Sequence, residues 1–161
     1  TEPASLLRLA SREFVDGRPI VAGKLAELAE LEPADSPPEP LEMPLDAAED
    51  DVETQRMLEE AADQIRIKRL NLIRLRDFLI GVGKAAEGNR EQIPREKRRL
   101  YRAAAPYLEL ARDHGFPQGR RTQEYQTLGE VYFHLGRFDD AVINLNQAVE
   151  MSHCSNVNFY P

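Results

Sequence analysis

The stretch that determines the fold reads YQTLGEVYFHLGRFDDAVINLNQA and spans residues 125–148. Two runs of residues recur there at helical spacing on either side of Gly136: Tyr125, Leu128, Gly129 and Tyr132 in the first, and Ala141, Leu145 and Ala148 in the second. Gly129 and Ala141 are small, so the two helices are predicted to approach closely. The pattern therefore predicts a helical hairpin over about 122–152 that turns at Gly136.

A weaker copy of this pattern occupies residues 3–33. The matching positions are Leu6, Leu9, Ala10, Gly17, Ala22, Ala26 and Ala29. Gly17 predicts the end of one helix, and Pro19 suits the first turn of the next. The first 33 residues are therefore predicted to form an N-terminal hairpin.

The middle of the chain carries a third, degenerate copy. Its matching residues are Ile80, Gly81, Gly88, Ala104, Leu108 and Ala111, with 11 more residues between the turn and the second helix than the C-terminal copy has. A long helix is predicted from about 47 to 86, kinked or ended by Gly81 and Gly83, with a turn at Gly88-Asn89. Pro94 is predicted to open a helix that runs to about His114. Five prolines in 32–51 indicate an extended linker over 34–46, followed by a helical domain over 47–161.

These residues resemble the tetratricopeptide repeat (TPR), whose pattern runs W-x2-L-G-x2-Y, then A-x3-F, then P. Tyr125 replaces the Trp, Leu145 replaces the Phe, and His153 stands where the Pro is expected. The resemblance implies an all-α fold of TPR-like hairpins, a fragment of an α-solenoid with an additional long helix after the linker. The alternative is a generic helical bundle with alanine-rich seams. Arg outnumbers Lys by 17 to 4, which suggests a bacterial source.

The resemblance implies a scaffold that binds a protein or peptide on a concave surface lined by the first helix of each hairpin. Carried over by position, the groove residues are Gln123, Gln126, Glu130, Phe133 and His134, with Phe78 and Val82 from the middle copy. Phe78 and Phe133 are equally well interpreted as core residues. Gln126 and Glu130 stand where chaperone-binding members carry a Lys/Asn clamp, so a ligand ending in EEVD is not expected.

The charge of −7 is unevenly distributed, with −12 over residues 1–63, +9 over 64–121 and −4 over 122–161. One explanation is that acidic and basic segments of the chain lie against each other. The alternative function is a nucleic-acid-associated regulatory domain that uses the basic 66–102 segment, namely Arg66, Lys68, Arg69, Arg95, Lys97, Arg98 and Arg99. A third is a regulatory domain attached to an enzyme elsewhere. Self-association or a domain-swapped dimer through the linker is also open.

Catalytic, metal and cofactor sites are not expected. His153 and Cys154 are adjacent and point about 100° apart on a helix, and the paired carboxylates suit helix starts or solvated faces. Gly81-Val-Gly83 lacks the third glycine of a dinucleotide site. No membrane span or signal peptide is evident, and the single Cys fits either the cytoplasm or a bacterial periplasm. Thr1, rather than Met, at the start suggests a processed or excised piece of a longer repeat protein.

Overall fold

The computed structural model describes residues 2–33, 52–115 and 121–157, and within these ranges every regular element is a helix. The elements are α1 (Pro3–Val15), α2 (Pro19–Glu27), α3 (Val52–Arg90), α4 (Pro94–Asp113), α5 (Arg121–His134) and α6 (Phe138–Val157). Each helix packs against the next one along the chain, and α3 also contacts α1 and α5. The all-α prediction is confirmed. The predicted linker, 34–46, lies outside the described residues.

Two hairpins turn in the same way. Gly17 between α1 and α2 has a φ of +85°, and Gly136 between α5 and α6 has a φ of +78°, both in the left-handed region that favours glycine. In both turns the glycine amide donates to the carbonyl three residues earlier, and the next amide donates to the carbonyl five residues earlier, at 2.8–3.1 Å. This is the Schellman arrangement that ends helices. The predicted turns at both glycines are confirmed, as are the helix starts at Pro19 and Pro94.

Two hairpins also pack through the same glycine–leucine contact. A Cβ placed on Gly129 would lie 2.6 Å from Leu145 Cγ, and one placed on Gly81 would lie 2.6 Å from Leu108 Cγ. Ala141 is buried on the same seam. The predicted close approach of α5 and α6 is therefore confirmed, and α3 and α4 approach each other in the same manner.

The glycines of α3 do not interrupt it, so the predicted turn at Gly88-Asn89 and the helix end near residue 86 are wrong. The helix continues through Gly81, Gly83 and Gly88 to Arg90. A glycine inside a helix costs about 1 kcal/mol relative to alanine. Each of these glycines instead allows a close contact, with Leu108, with the backbone of Gly23 and with the ring of Tyr101 respectively.

The 11 extra residues of the middle hairpin lengthen its two helices. After Gly81, α3 continues for four more residues than α5 does after Gly129. Likewise, α4 begins seven residues further ahead of Ala104 than α6 begins ahead of Ala141. The connection keeps three residues in both hairpins. In the longer one, the Glu91 carboxylate accepts hydrogen bonds from the backbone amides of the next two residues, at 3.1 and 3.2 Å.

The core lies where the hairpins meet. Its largest fully buried side chains include Leu7, Phe78, Leu79, Ile80, Tyr101, Leu108, Leu128 and Tyr132. All buried residues of α3 fall between Asp77 and Gly88, and its N-terminal half is much more exposed. An ion pair of 2.9 Å between Arg69 and Glu32 ties that half to the segment after α2. No helix in the described ranges has the length and apolar character needed to cross a membrane.

Candidate functional site: a groove and an adjoining basic pocket

Helices α1, α3 and α5, the first helices of the three hairpins, border one cavity of about 160 Å³, here called the groove. Its lining residues are Phe14, Pro19, Val82, Ala85, Ala86, Asn89, Tyr101, Gln123, Thr127, Glu130 and Val131. The groove thus collects side chains from all three hairpins, although they are distant in sequence.

The apolar side of the groove is positioned by close helix packing. Val82 lies on α3 next to Gly83, whose backbone contacts Gly23 of α2. Phe14 of α1 packs edge-on against Phe78, with ring centroids 5.4 Å apart. These contacts fix α1 beside α3, and so fix one wall of the groove.

The polar side comes mainly from α5, where Gln123, Thr127 and Glu130 follow helical spacing. The Thr127 hydroxyl donates to the backbone carbonyl of Gln123 at 2.8 Å. From α4, the Tyr101 hydroxyl donates to Asn89 Oδ1 at 2.6 Å. Burial, together with the negative charge of Glu130, raises the pKa of Tyr101, so its hydroxyl stays protonated and remains a donor at neutral pH.

The predicted groove residues divide into those that line the groove and those that do not. Val82, Gln123 and Glu130 line it. Phe78 is only 1% exposed and belongs to the core. Phe133 is 57% exposed and stands outside the groove.

The remaining two predicted residues line other cavities. The Gln126 side-chain amide donates to the Glu130 carboxylate at 3.3 Å, and both residues line a cavity of about 320 Å³ between α5 and α6. His134 lines a third cavity on the far side of Tyr101.

That third cavity, here called the basic pocket, has a volume of about 650 Å³. Its lining residues are Pro94, Arg95, Lys97, Arg98, Tyr101, Arg102 and His134. Three of its cations, Arg95, Lys97 and Arg98, belong to the nucleic-acid hypothesis drawn from the sequence, which does not name Arg102. The i, i+3, i+7 spacing of Arg95, Arg98 and Arg102, which places them on one helix face, was the available signal.

The cations of the basic pocket differ from the other basic residues of the 66–102 segment. Across the described ranges, none of its four Arg and Lys side chains forms an ion pair. By contrast, Arg66 pairs with Asp63 at 3.1 Å and Arg99 pairs with Glu96 at 2.9 Å. The positive charge of the pocket is therefore not compensated by described acidic side chains.

Tyr101 separates the two cavities and lines both of them. Its ring stacks on the ring of His134, with centroids 4.5 Å apart and planes 1° from parallel. This stacking holds Tyr101 of α4 against the C-terminal end of α5. Groove and basic pocket are thus neighbouring cavities that share the ring of Tyr101 as a wall.

One buried acid lies apart from this surface. Asp77 of α3 is 7% exposed. Burial raises its pKa, and the positive charges of Arg76 and His114 oppose that shift. Among the described residues, no group of three or more His, Cys, Asp or Glu side chains is arranged to hold a metal ion.

The groove offers hydrogen-bond donors and acceptors beside apolar side chains, and the basic pocket offers positive charge. Such an arrangement can recognise an extended ligand by shape and charge. Comparison of the chain with protein-family models, with curated proteins and with solved structures found no match.

Proposed function

We propose that this chain is a TPR-like scaffold module that binds a peptide segment of another protein in the groove. The observation that carries the proposal is that the first helices of all three hairpins border one cavity. A repeat scaffold of this kind has its binding surface where corresponding helices lie side by side.

The size of the groove favours a peptide over a small molecule. Pockets for drug-sized ligands measure roughly 300–1,000 Å³, and the groove measures about 160 Å³. That volume accommodates one or two side chains of a longer ligand whose remaining residues lie along the surface. A peptide has this form.

The chemistry of the walls supports the same ligand. The half-buried side chains of Phe14 and Ala86 provide apolar contact, while Gln123 and Thr127 stand on the polar side. An amphipathic segment can place apolar side chains on the first wall and satisfy its polar groups on the second.

The proposal is tested by selecting peptides against the full chain and asking where they bind. A phage-displayed library of random peptides is selected on the unchanged chain, and the affinities of the selected peptides are measured by fluorescence anisotropy. Thr127→Tyr places a large ring in the groove and is expected to weaken binding about tenfold or more by excluding the ligand. Val142→Tyr is the matched control, because Val142 is exposed on α6 and does not line the groove.

Circular dichroism and thermal unfolding establish that both variants are folded. Selected peptides that bind Thr127→Tyr as tightly as the unchanged chain would place their site elsewhere and contradict the proposal. A selection that yields no binding peptide, from a chain shown to be a monomer by light scattering, would contradict it as well.

A further inference from the structure

The added length of the middle hairpin builds a feature that the other hairpins do not have. Arg95, Lys97 and Arg98 all fall within the seven residues by which α4 exceeds α6 at its start. Arg102 follows one turn later and completes the basic pocket. The insertion therefore adds three positive side chains, which form a cluster with Arg102.

The electrostatic character of this pocket suits a ligand with several negative charges. None of its Arg and Lys side chains forms an ion pair in the described part of the chain, so an incoming anion displaces no internal partner. The cluster lies at the N-terminal end of α4, where the helix dipole is also positive. Its volume of about 650 Å³ admits more than one carboxylate.

The position of the pocket connects it to the groove. Tyr101 lines both cavities, so the basic pocket begins one side chain away from the groove. We propose that the basic pocket binds a cluster of Asp or Glu side chains in the same peptide whose neighbouring residues occupy the groove. This inference rests on the proposed function and adds the charge pattern of the ligand.

The structure favours an acidic peptide over a nucleic acid. Three of the seven basic side chains that the nucleic-acid hypothesis requires form ion pairs within the chain, namely Arg66, Arg69 and Arg99. Residues 66 and 90 of α3 are about 36 Å apart along the helix. The basic residues near position 66 are therefore far from the basic pocket, which lies at the start of the next helix. Glu130 in the groove, close enough to Tyr101 to affect its pKa, would repel a continuous phosphate backbone. A peptide can place neutral residues there.

The experiment measures binding of fluorescein-labelled hexaglutamate to the full chain by anisotropy at low and high salt. Arg98→Glu/Arg102→Glu reverses two charges of the pocket. Both residues are exposed, and acidic side chains near a helix N-terminus are compatible with folding. We expect a loss of affinity of about tenfold or more, because two attractions become repulsions. Arg98→Gln/Arg102→Gln should give a smaller loss.

The matched control is Arg56→Glu/Arg66→Glu, which makes the same change in net charge at two exposed positions in the N-terminal half of α3. It is expected to change hexaglutamate affinity less than about threefold, because residue 66 lies about 36 Å from residue 90 along α3 and surface charges more than about 10 Å away are largely screened. An equal loss in the control and the pocket variant would show general charge attraction and overturn the proposal. Short oligothymidine binding more tightly than hexaglutamate, and depending on the pocket arginines, would assign the pocket to nucleic acid and also overturn it.

Two further readouts separate this inference from the proposed function. Hexaglutamate requires only the pocket, so Thr127→Tyr should leave its affinity unchanged. Peptides selected on the groove should be enriched in Asp and Glu at one end and lose affinity in Arg98→Glu/Arg102→Glu. Groove-dependent peptides that lack this enrichment and tolerate the charge reversal would leave the groove assignment intact and refute the acidic-ligand inference alone.

Discussion

A close backbone contact between α2 and α3 gives a demanding test of the packing. A Cβ placed on Gly83 would lie 2.9 Å from the Cα of Gly23 and 3.0 Å from the carbonyl oxygen of Pro19. Carbon atoms in contact normally stand about 3.5–4.0 Å apart, so Gly83→Ala requires α2 and α3 to separate by about 0.6–1.1 Å. Both neighbours are backbone atoms and cannot rotate out of the way.

The expected cost of Gly83→Ala follows from two opposing effects. Overpacking of this kind costs about 1–3 kcal/mol, and alanine recovers about 1 kcal/mol through its higher helix propensity. Because the neighbours are rigid, we expect a net loss of about 1–2 kcal/mol in the free energy of unfolding. For a chain of this length, that lowers Tm by about 2–8 °C, measured by far-ultraviolet circular dichroism.

Gly88→Ala is the matched control in the same helix. It brings the same gain in helix propensity, but its Cβ would meet the ring of Tyr101, with Cε1 2.9 Å away. The atoms in its way belong to a side chain rather than to the backbone, so the free energy of unfolding should fall less than in Gly83→Ala, by about 1 kcal/mol or less. The reasoning is refuted if Gly83→Ala unfolds at the same or a higher temperature, or if Gly88→Ala is the more destabilised of the two.

Three further predictions concern single contacts. Gly129→Ala should destabilise the chain by about 1 kcal/mol, and Leu145→Ala by about 2–3 kcal/mol. The double variant should lose about 1 kcal/mol less than the sum of the two, because truncating the leucine makes room for the new Cβ. Additive losses, measured by urea denaturation, would contradict the contact. Burial raises the pKa of Asp77, so the folded chain holds that proton more tightly than the unfolded chain, and this group's contribution to stability falls as pH rises from the usual carboxyl range through the raised pKa. Asp77→Asn should therefore raise Tm near neutral pH and make Tm decline less as pH rises. An unchanged dependence of Tm on pH would show that Asp77 does not cause the decline. Tyr101→Phe removes the hydrogen bond to Asn89 and should cost about 0.5–1.5 kcal/mol, and a variant as stable as the unchanged chain in urea would show that solvent replaces the bond.

The hairpin elements were predictable because local signals and tertiary contacts agree there. Gly17 and Gly136 end helices in a conformation that favours glycine, and the helices after them begin as expected. In α3 the two kinds of signal disagree. A mid-helix glycine is locally unfavourable by only about 1 kcal/mol, and the sequence does not reveal that Gly83 meets Gly23 or that Gly88 meets Tyr101.

The candidate site was predictable only where the position of a residue on its helix decides its exposure. Val82 and Glu130 each lie one residue after the packing glycine of their helix, and both line the groove. Phe78 and Gln126 also correspond, each three residues before that glycine. A ring of α1 covers Phe78, whereas Gln126 lines an open cavity. Register predicts the face of a helix, but burial depends on which neighbour covers that face.

The basic pocket shows why an insertion carries more information than its length suggests. Extending two paired helices is favourable once they are nucleated, because each added residue gains a backbone hydrogen bond, and the connection retains its three residues with Glu91 bonded to its amides. Arg95 and Arg98 in the added turns of α4 are exposed, and Lys97 is half-buried. Arg95, Lys97 and Arg98 can therefore remain unpaired within the described part of the chain without the desolvation cost of a buried charge. Unpaired cations near the positive N-terminal end of a helix do not stabilise that helix, and this supports the proposal that they bind an anionic ligand.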